Sequence, residues 1–300
     1  MNWDTLLNGY KAWIFLERKL SKNTSLAYLS DLESFKKFIL DSDNPVPPQE
    51  VNRDRITLYL SFLHKNGITS SSQARIISSL RSFYRYLHIE KITNENPAAK
   101  IDLPGLGRHL PEVLSIEEVN SIISIIDLSS KTGERDKAIL ETLYGCGLRV
   151  SELTNLTLSG IFFKEEYIKV TGKGDKERLV PLGHSAASQL ARYINFCRTE
   201  IKIKPGFEDF VFISRQGKAL SRVTVYNIVK AYAEKAGITK EISPHTFRHT
   251  YATHLIENGA DLRAVQQMLG HTSITTTEIY THLSTKYLRD AILKYHPREQ

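Results

Sequence analysis

Ser243-Pro244-His245-Thr246-Phe247-Arg248-His249, followed by Leu269-Gly270-His271 and Ile279-Tyr280-Thr281-His282, is the stretch from which both fold and chemistry are read. Ser243 suits a helix N-cap, and Pro244 fits the first helical position, where a missing N–H costs nothing. Asn258-Gly259 supplies a stop. Asp261 then caps a second helix, which carries Leu262, Val265 and Leu269 and ends at Gly270. Tyr280 falls about two to three turns further on, in or beside a helix starting near Ser273. His245 and Arg248, three apart, share one helix face. His271 sits at a helix junction. Several histidines, an arginine and a tyrosine are thus spaced as if to converge on one site.

Working outward toward the N-terminus, Ser115-Ile116-Glu117-Glu118 reads as a capping box ahead of Val119, Ile122, Ile123 and Ile126. A helix from about Gly133 closes on Gly145-Cys146-Gly147, which leaves Arg149 just past a sharp backbone turn. Tyr167, Ile168 and Val170, then Arg178, Leu179, Val180 and Pro181, predict two short strands. Thr171-Gly172-Lys173-Gly174-Asp175-Lys176 joins them as a hairpin. Lys173, between two glycines, reads on its own as a solvated turn residue. Helices are expected over about 184–200 and 221–237, the second burying Val225, Ile228, Val229 and Tyr232.

The first hundred residues predict four helices and no strand. Their apolar faces are Leu6, Leu7, Tyr10, Trp13, Ile14 and Leu16; Leu26, Leu29, Leu32, Phe35 and Phe38; Ile56, Tyr59, Leu60 and Leu63; and Ile76, Ile77, Leu80, Tyr84 and Leu87. The fourth helix shows Arg75, Ser78, Ser79, Arg81, Ser82 and Arg85 on its other side. Arginines with short hydroxyls suit close phosphate contact, so Arg75, Arg81 and Arg85 are the candidate DNA-binding residues of this segment. A merely solvated face is the equal alternative. Prolines and glycines between Asn94 and Pro111 forbid a continuing helix. The domains are accordingly set at 1–93, a linker at 94–111, and 112–300.

Composition sets wide bounds. Three hundred residues exceed one ordinary core, and a net charge of +7 admits a nucleic-acid partner without demanding one. Cys146 and Cys197 fit no metal spacing and read as reduced, packed thiols of a cytoplasmic chain. No leader pattern follows Met1, and no apolar run is long enough for a bilayer, so no membrane partner is expected.

A metal site is the main rival to phosphate chemistry. His245 and His249, with His271, would permit three histidine ligands. Arg248 would then place a cation beside the metal, no carboxylate completes a hydrolytic set, and no HExxH occurs. Taken singly, Tyr280 reads as a packed or capping tyrosine and His271 as a turn residue.

Together, Gly-Leu-Arg149-Val-Ser-Glu-Leu, Thr-Gly-Lys173-Gly-Asp-Lys, His245-Thr-Phe-Arg248-His, Leu-Gly-His271 and Ile-Tyr280-Thr-His resemble, in that order, the signature boxes of the tyrosine recombinases, the phage integrase-like family. The likeness spans essentially the whole chain and is nearest the Xer branch. It implies a mainly α fold with a small antiparallel β-sheet. An N-terminal helical bundle that binds core DNA and a C-terminal catalytic domain would form a clamp on DNA. It implies site-specific cutting and rejoining through a 3′-phosphotyrosyl intermediate, with chromosome dimer resolution as the role. A mobile-element integrase or excisionase, or an architectural DNA-binding protein with an idle site, stands as the alternative.

The implied catalytic residues are Arg149, Lys173, His245, Arg248, His271 and the nucleophile Tyr280. Two guanidiniums fit the anionic oxygens of a five-coordinate phosphorus, which no lysine reproduces. A tyrosine hydroxyl, with a pKa of about 10, needs such a clamp and a proton acceptor. Glu152, one turn after Arg149, either orients that arginine or lies on the helix surface. No cofactor, metal or ATP is implied. The implied partners are a double-stranded recombination site, a homo-tetramer or a hetero-tetramer with a related recombinase, and a DNA translocase of the FtsK type. The C-terminal helix is implied to dock on a neighbouring protomer through Leu288, Ala291, Ile292 and Tyr295, with self-packing as the alternative.

Overall fold

A computed structural model describes residues 1–105, 112–172, 176–270 and 282–299, with the backbone alone for 282–286. The chain divides into two compact units, Met1–His109 and Leu110–Gln300.

The first unit is helical. It comprises α1 (Trp3–Leu16), α2 (Lys22–Leu40), α3 (Arg53–Lys65) and α4 (Ser70–Ile89). Each start is set locally: the side chains of Asn2, Ser21, Asn52 and Thr69 accept from a backbone N–H three residues on. Trp3 sits edge-on to Phe35 and stacked on Phe83, with Tyr10, Tyr59 and Tyr84 filling the same core. Phe83, Tyr84 and Tyr86 are therefore packing residues.

Two expectations of the apolar pattern fail, for a local reason. Leu16 and Leu26 are 73% and 51% exposed. In α2 the inward turn is taken instead by Ser25 and Asp31, the latter paired with Arg75. In α4, Ser79 is buried with its hydroxyl donating to the Ile76 carbonyl, so it does not belong to an outward Arg/Ser face. Arg81 donates to the carbonyls of Ala98 and Ile101, and Asn96 donates back to the Arg81 carbonyl at 3.0 Å. Residues 96–101 are thereby folded onto α4.

The second unit contains α5 (Ile116–Ser124), α6 (Gly133–Cys146), α7 (Val150–Thr154), β1 (Ile161–Phe162), β2 (Tyr167–Thr171), β3 (Glu177–Pro181), α8 (His184–Arg192), α9 (Arg222–Lys235), α10 (Pro244–Glu257), α11 (Leu262–Leu269) and α12 (His282–Tyr295). The strands form one antiparallel sheet in the order β1-β2-β3, with Tyr167 opposite Pro181 and Thr171 opposite Glu177. Its core is organised around α6, which is buried along nearly its whole length. The Ser115–Glu118 capping box forms, and Ser243 with Pro244 opens α10.

The expected 184–200 helix is interrupted. After α8 it widens into a π turn over Tyr193–Cys197 and tightens to a 3₁₀ turn at Arg198–Glu200. This change of pitch lays Tyr193 on Phe212 at 5.7 Å and lets Arg198 reach the carbonyls of Phe210 and Val211.

The C-terminal segment packs on its own domain. Leu288, Ala291 and Ile292 are buried in its core and Tyr295 is partly buried. His296 lies against Tyr144 and Tyr251, and Glu299 accepts from the backbone N–H of His184 at 3.0 Å. Self-packing is the arrangement in this structure. No helix among the described residues is long and apolar enough to cross a membrane.

Gly147 ends α6 in the left-handed region at φ +58°, with a Cβ-equivalent position only 2.4 Å from the Tyr251 ring. Gly147→Ala is expected to cost about 2–4 kcal/mol, from left-handed strain plus overpacking against a buried ring. Urea unfolding would measure it.

Candidate functional site

Arg149 follows the Gly147 turn as the N-cap residue of α7. Its backbone N–H donates to Glu152 Oε2 at 2.8 Å, and its Nη1 donates to Glu152 Oε1 at 2.7 Å. About a third of the Arg149 side chain remains exposed. Arg248 enters from α10, one turn after the cap, and is 7% exposed. Its Nη1 donates to the Gly147 carbonyl at 2.8 Å and lies 3.8 Å from Glu152 Oε2. Burial, with the like charge of Arg149 beside it, lowers the Arg248 guanidinium to about 10 against the opposing pull of Glu152. It remains a cation at neutral pH.

A third arginine, which the sequence pattern had placed only in a strand, completes the cluster. Arg178 on β3 is 6% exposed and forks onto Glu152, Nη1 to Oε1 at 2.6 Å and Nη2 to Oε2 at 2.9 Å. Glu152 is consequently a buried hub and not a surface carboxylate. Burial pushes its carboxyl up, but Arg178 and Arg149 outweigh it and bring it down to about 2.

The end of α11 supplies the opposite wall. Three consecutive carbonyls each take one guanidinium: Met268 accepts from Arg178 Nε, Leu269 from Arg248 Nη2 and Gly270 from Arg149 Nη2. These are carbonyls without helical partners at the negative end of the helix dipole, so they suit cations. Three guanidiniums on one carboxylate leave the described part of the site with two uncompensated positive charges. Such a surplus, partly open at Arg149, can hold the oxygens of a phosphodiester.

Of the other predicted residues, His245 is exposed on α10 one turn before Arg248. Lys173, His271 and Tyr280 lie outside the described residues. On either side of 173–175, the Gly172 N–H donates to the Lys176 carbonyl at 2.8 Å. In the first unit, Arg75 is engaged by Asp31 and Arg81 by two carbonyls, whereas Arg85 is exposed.

Sequence reasoning named Glu152 without deciding its role and missed Arg178. A signal was present. In the alternation of β3, Arg178 takes an inward register position with Val180, opposite Val170. An arginine at such a position requires a buried acid.

Known proteins resemble this chain over its full length. The profile described as the phage integrase family matches residues 112–286, and that described as the phage integrase N-terminal SAM-like domain matches 7–91. A protein of Staphylococcus saprophyticus named tyrosine recombinase XerD is 42% identical over 98% of this chain and 99% of its own. Among solved structures, the XerA recombinase is 31% identical with a TM-score of 0.50, covering 98% of this chain and 99% of its own. The XerH site-specific recombinase bound to a palindromic difH substrate has a TM-score of 0.68 at 24% identity, over 90% of this chain and 79% of its own, a likeness of fold.

Proposed function

The chain belongs to the phage integrase family, and from that premise we propose that it cuts and rejoins DNA at a chromosomal recombination site. It is a tyrosine recombinase, and its full-length relatives make it one of the Xer type. Dimer resolution of a replicated chromosome is the role proposed, which would place its work in the cytoplasm. The observation that carries the phosphate-transfer reading is the pair Arg149 and Arg248, locked by Glu152 and by the carbonyls at the end of α11.

In the proposed step, the Tyr280 hydroxyl oxygen attacks the scissile phosphorus and the P–O5′ bond breaks. Arg149 and Arg248 stabilise the charge that builds on the non-bridging oxygens. His245 assists removal of the tyrosine proton, His271 hydrogen-bonds a phosphate oxygen, and Lys173 protonates the departing 5′ oxygen. The product is a 3′-phosphotyrosine ester and a free 5′-hydroxyl. Attack by a 5′-hydroxyl of the partner duplex reverses the step, so bond energy is conserved and the step consumes no nucleotide. The first unit is proposed as the core DNA-binding domain, with Arg85 the most available of its three candidate arginines. Assembly as a tetramer on two sites, with the same chain or a related recombinase, and a translocase of the FtsK type as a further partner, follow from the family resemblance.

The test is a nicked suicide substrate carrying the cognate site, incubated with the protein in EDTA without ATP. A covalent adduct is expected, and mass spectrometry should place the bound nucleotide on the peptide containing Tyr280. DNA binding without any adduct would reduce the chain to a DNA-binding protein. Equal relaxation of supercoiled plasmids with and without the site would instead indicate a topoisomerase-like enzyme.

A further inference from the structure

We infer that Arg178 is a positioning residue for strand cleavage, setting the register of Arg149 and Arg248 without itself holding the phosphate. The inference rests on the recombinase reading above. Arg178 is the most enclosed of the three arginines, with a side chain 6% exposed against 34% for Arg149. Its donors are turned inward: both Nη atoms go to Glu152 and Nε goes to the Met268 carbonyl at 3.0 Å. Arg149 and Arg248 meet the same two anchors, the Glu152 carboxylate and the next two carbonyls of the α11 end. Arg178 therefore fixes the parts to which both phosphate-binding arginines are referred.

Its backbone adds a mechanical link. Arg178 lies on β3, paired with Val170 of β2, so the strand that follows Lys173 is joined to Glu152 by a forked ion pair. At the other end, Gly270 adopts φ +64°, and its Cβ-equivalent position is 2.9 Å from Arg178 Cδ. The α11 terminus closes directly on the arginine stem. A single planar fork thus ties a strand, the start of α7 and the end of α11, and only a guanidinium offers the three donors in the required plane. Small errors in the placement of phosphate-binding groups reduce rates by about a hundredfold, while barely changing ground-state binding.

The test compares wild type, Arg178→Met and Arg178→Lys in single-turnover cleavage of the suicide substrate, alongside DNA affinity, from about pH 5 to 8. Arg178→Met is expected to bind DNA within about threefold of wild type and to cleave about a hundredfold more slowly. Arg178→Lys should recover part of that loss. A second readout separates positioning from simple destabilisation. Without Arg178, Glu152 keeps, among the described residues, Arg149 at the start of α7 and Arg248 of α10 as facing charges, so it takes up a proton at higher pH. The Arg178→Met rate should then fall further toward pH 5 than wild type does. If Arg178→Met does not fold, Arg178→Lys carries the test, with a loss of tenfold or more at unchanged affinity expected. Wild-type cleavage rates in the variants, or equal losses of affinity and rate at every pH, would overturn the inference alone. Failure of wild type to form any adduct would overturn the recombinase reading, and this inference with it.

Discussion

Arg248→Lys is expected to bind the recombination site nearly as tightly as wild type and to cleave it about a thousandfold more slowly. The substitution keeps a basic group but removes the guanidinium fork, so geometry is the first thing lost. Arg248 spans two carbonyls, Gly147 through Nη1 and Leu269 through Nη2, from a position 7% exposed. One ammonium nitrogen cannot reach both while also presenting a donor toward a phosphate oxygen. Removing one preorganised donor to developing negative charge typically costs a hundredfold to a thousandfold, and here a carbonyl is also left without its partner.

Charge adds to the loss. Burial and the neighbouring Arg149 already bring the guanidinium down to about 10. A lysine starts from about 10.4, roughly two or more below arginine, so the same surroundings would leave it partly neutral at about pH 8 and charged at about pH 6. Residual cleavage by Arg248→Lys should therefore rise as pH is lowered from 8 to 6, where wild type should not show that gain. Single-turnover rates on the suicide substrate across that range would decide it. A lysine variant that cleaves at the wild-type rate would remove Arg248 from the phosphate clamp.

The parts of this site that were legible in the sequence are those set by local rules. Ser243 and Pro244 open α10, Gly147 and Gly270 end α6 and α11, and these turns place Arg149 and Arg248. Capping and left-handed glycines are short-range physics, so a single chain displays them. The small sheet was legible from β-branched and aromatic runs around a glycine-rich turn, whereas its third strand, only Ile161–Phe162, was too short to leave a pattern. What could not be read was pairing across distance. Glu152 and Arg178 are 26 residues apart, and nothing local says that they meet. The same limit explains Arg75 and Arg81. Their spacing on α4 marks a polar face, but their partners, Asp31 and the 98–101 segment, come from elsewhere in the fold. The π turn after α8 belongs to this class too, because the contacts of Tyr193 and Arg198 that accompany it lie at Phe210 to Ile213.

Replacing Glu152 by glutamine should weaken the fold and cleavage together while leaving DNA affinity undiminished. The carboxylate is the shared counter-ion of Arg149, Arg178 and Arg248, and its carboxyl is held at about 2 against an ordinary value of 4.5. Because the folded-state value is the lower one, its stabilisation is fully present above about pH 4.5 and is lost as pH falls toward 2. Unfolding at pH 7 should show a loss of about 3 kcal/mol in Glu152→Gln, since a tenfold change in proton affinity between the folded and unfolded chain corresponds to about 1.4 kcal/mol. The gap between wild type and variant should narrow once the pH drops below about 4.5. A gap that stays constant between pH 7 and 3 would contradict the assigned charge state. Binding responds in the other sense. Without the carboxylate the three guanidiniums carry their full charge, so anionic DNA is held as well or better. Cleavage nonetheless falls, because the carboxylate that holds Arg149 by two hydrogen bonds and sits 3.8 Å from Arg248 is gone, and misplaced arginines lose transition-state stabilisation even where the added charge favours it. Binding of the singly charged ground state tolerates loosened arginines, whereas the transition state depends on their exact placement. Glu152 thus acts by fixing where the arginines meet the phosphate, and not by adding to its affinity.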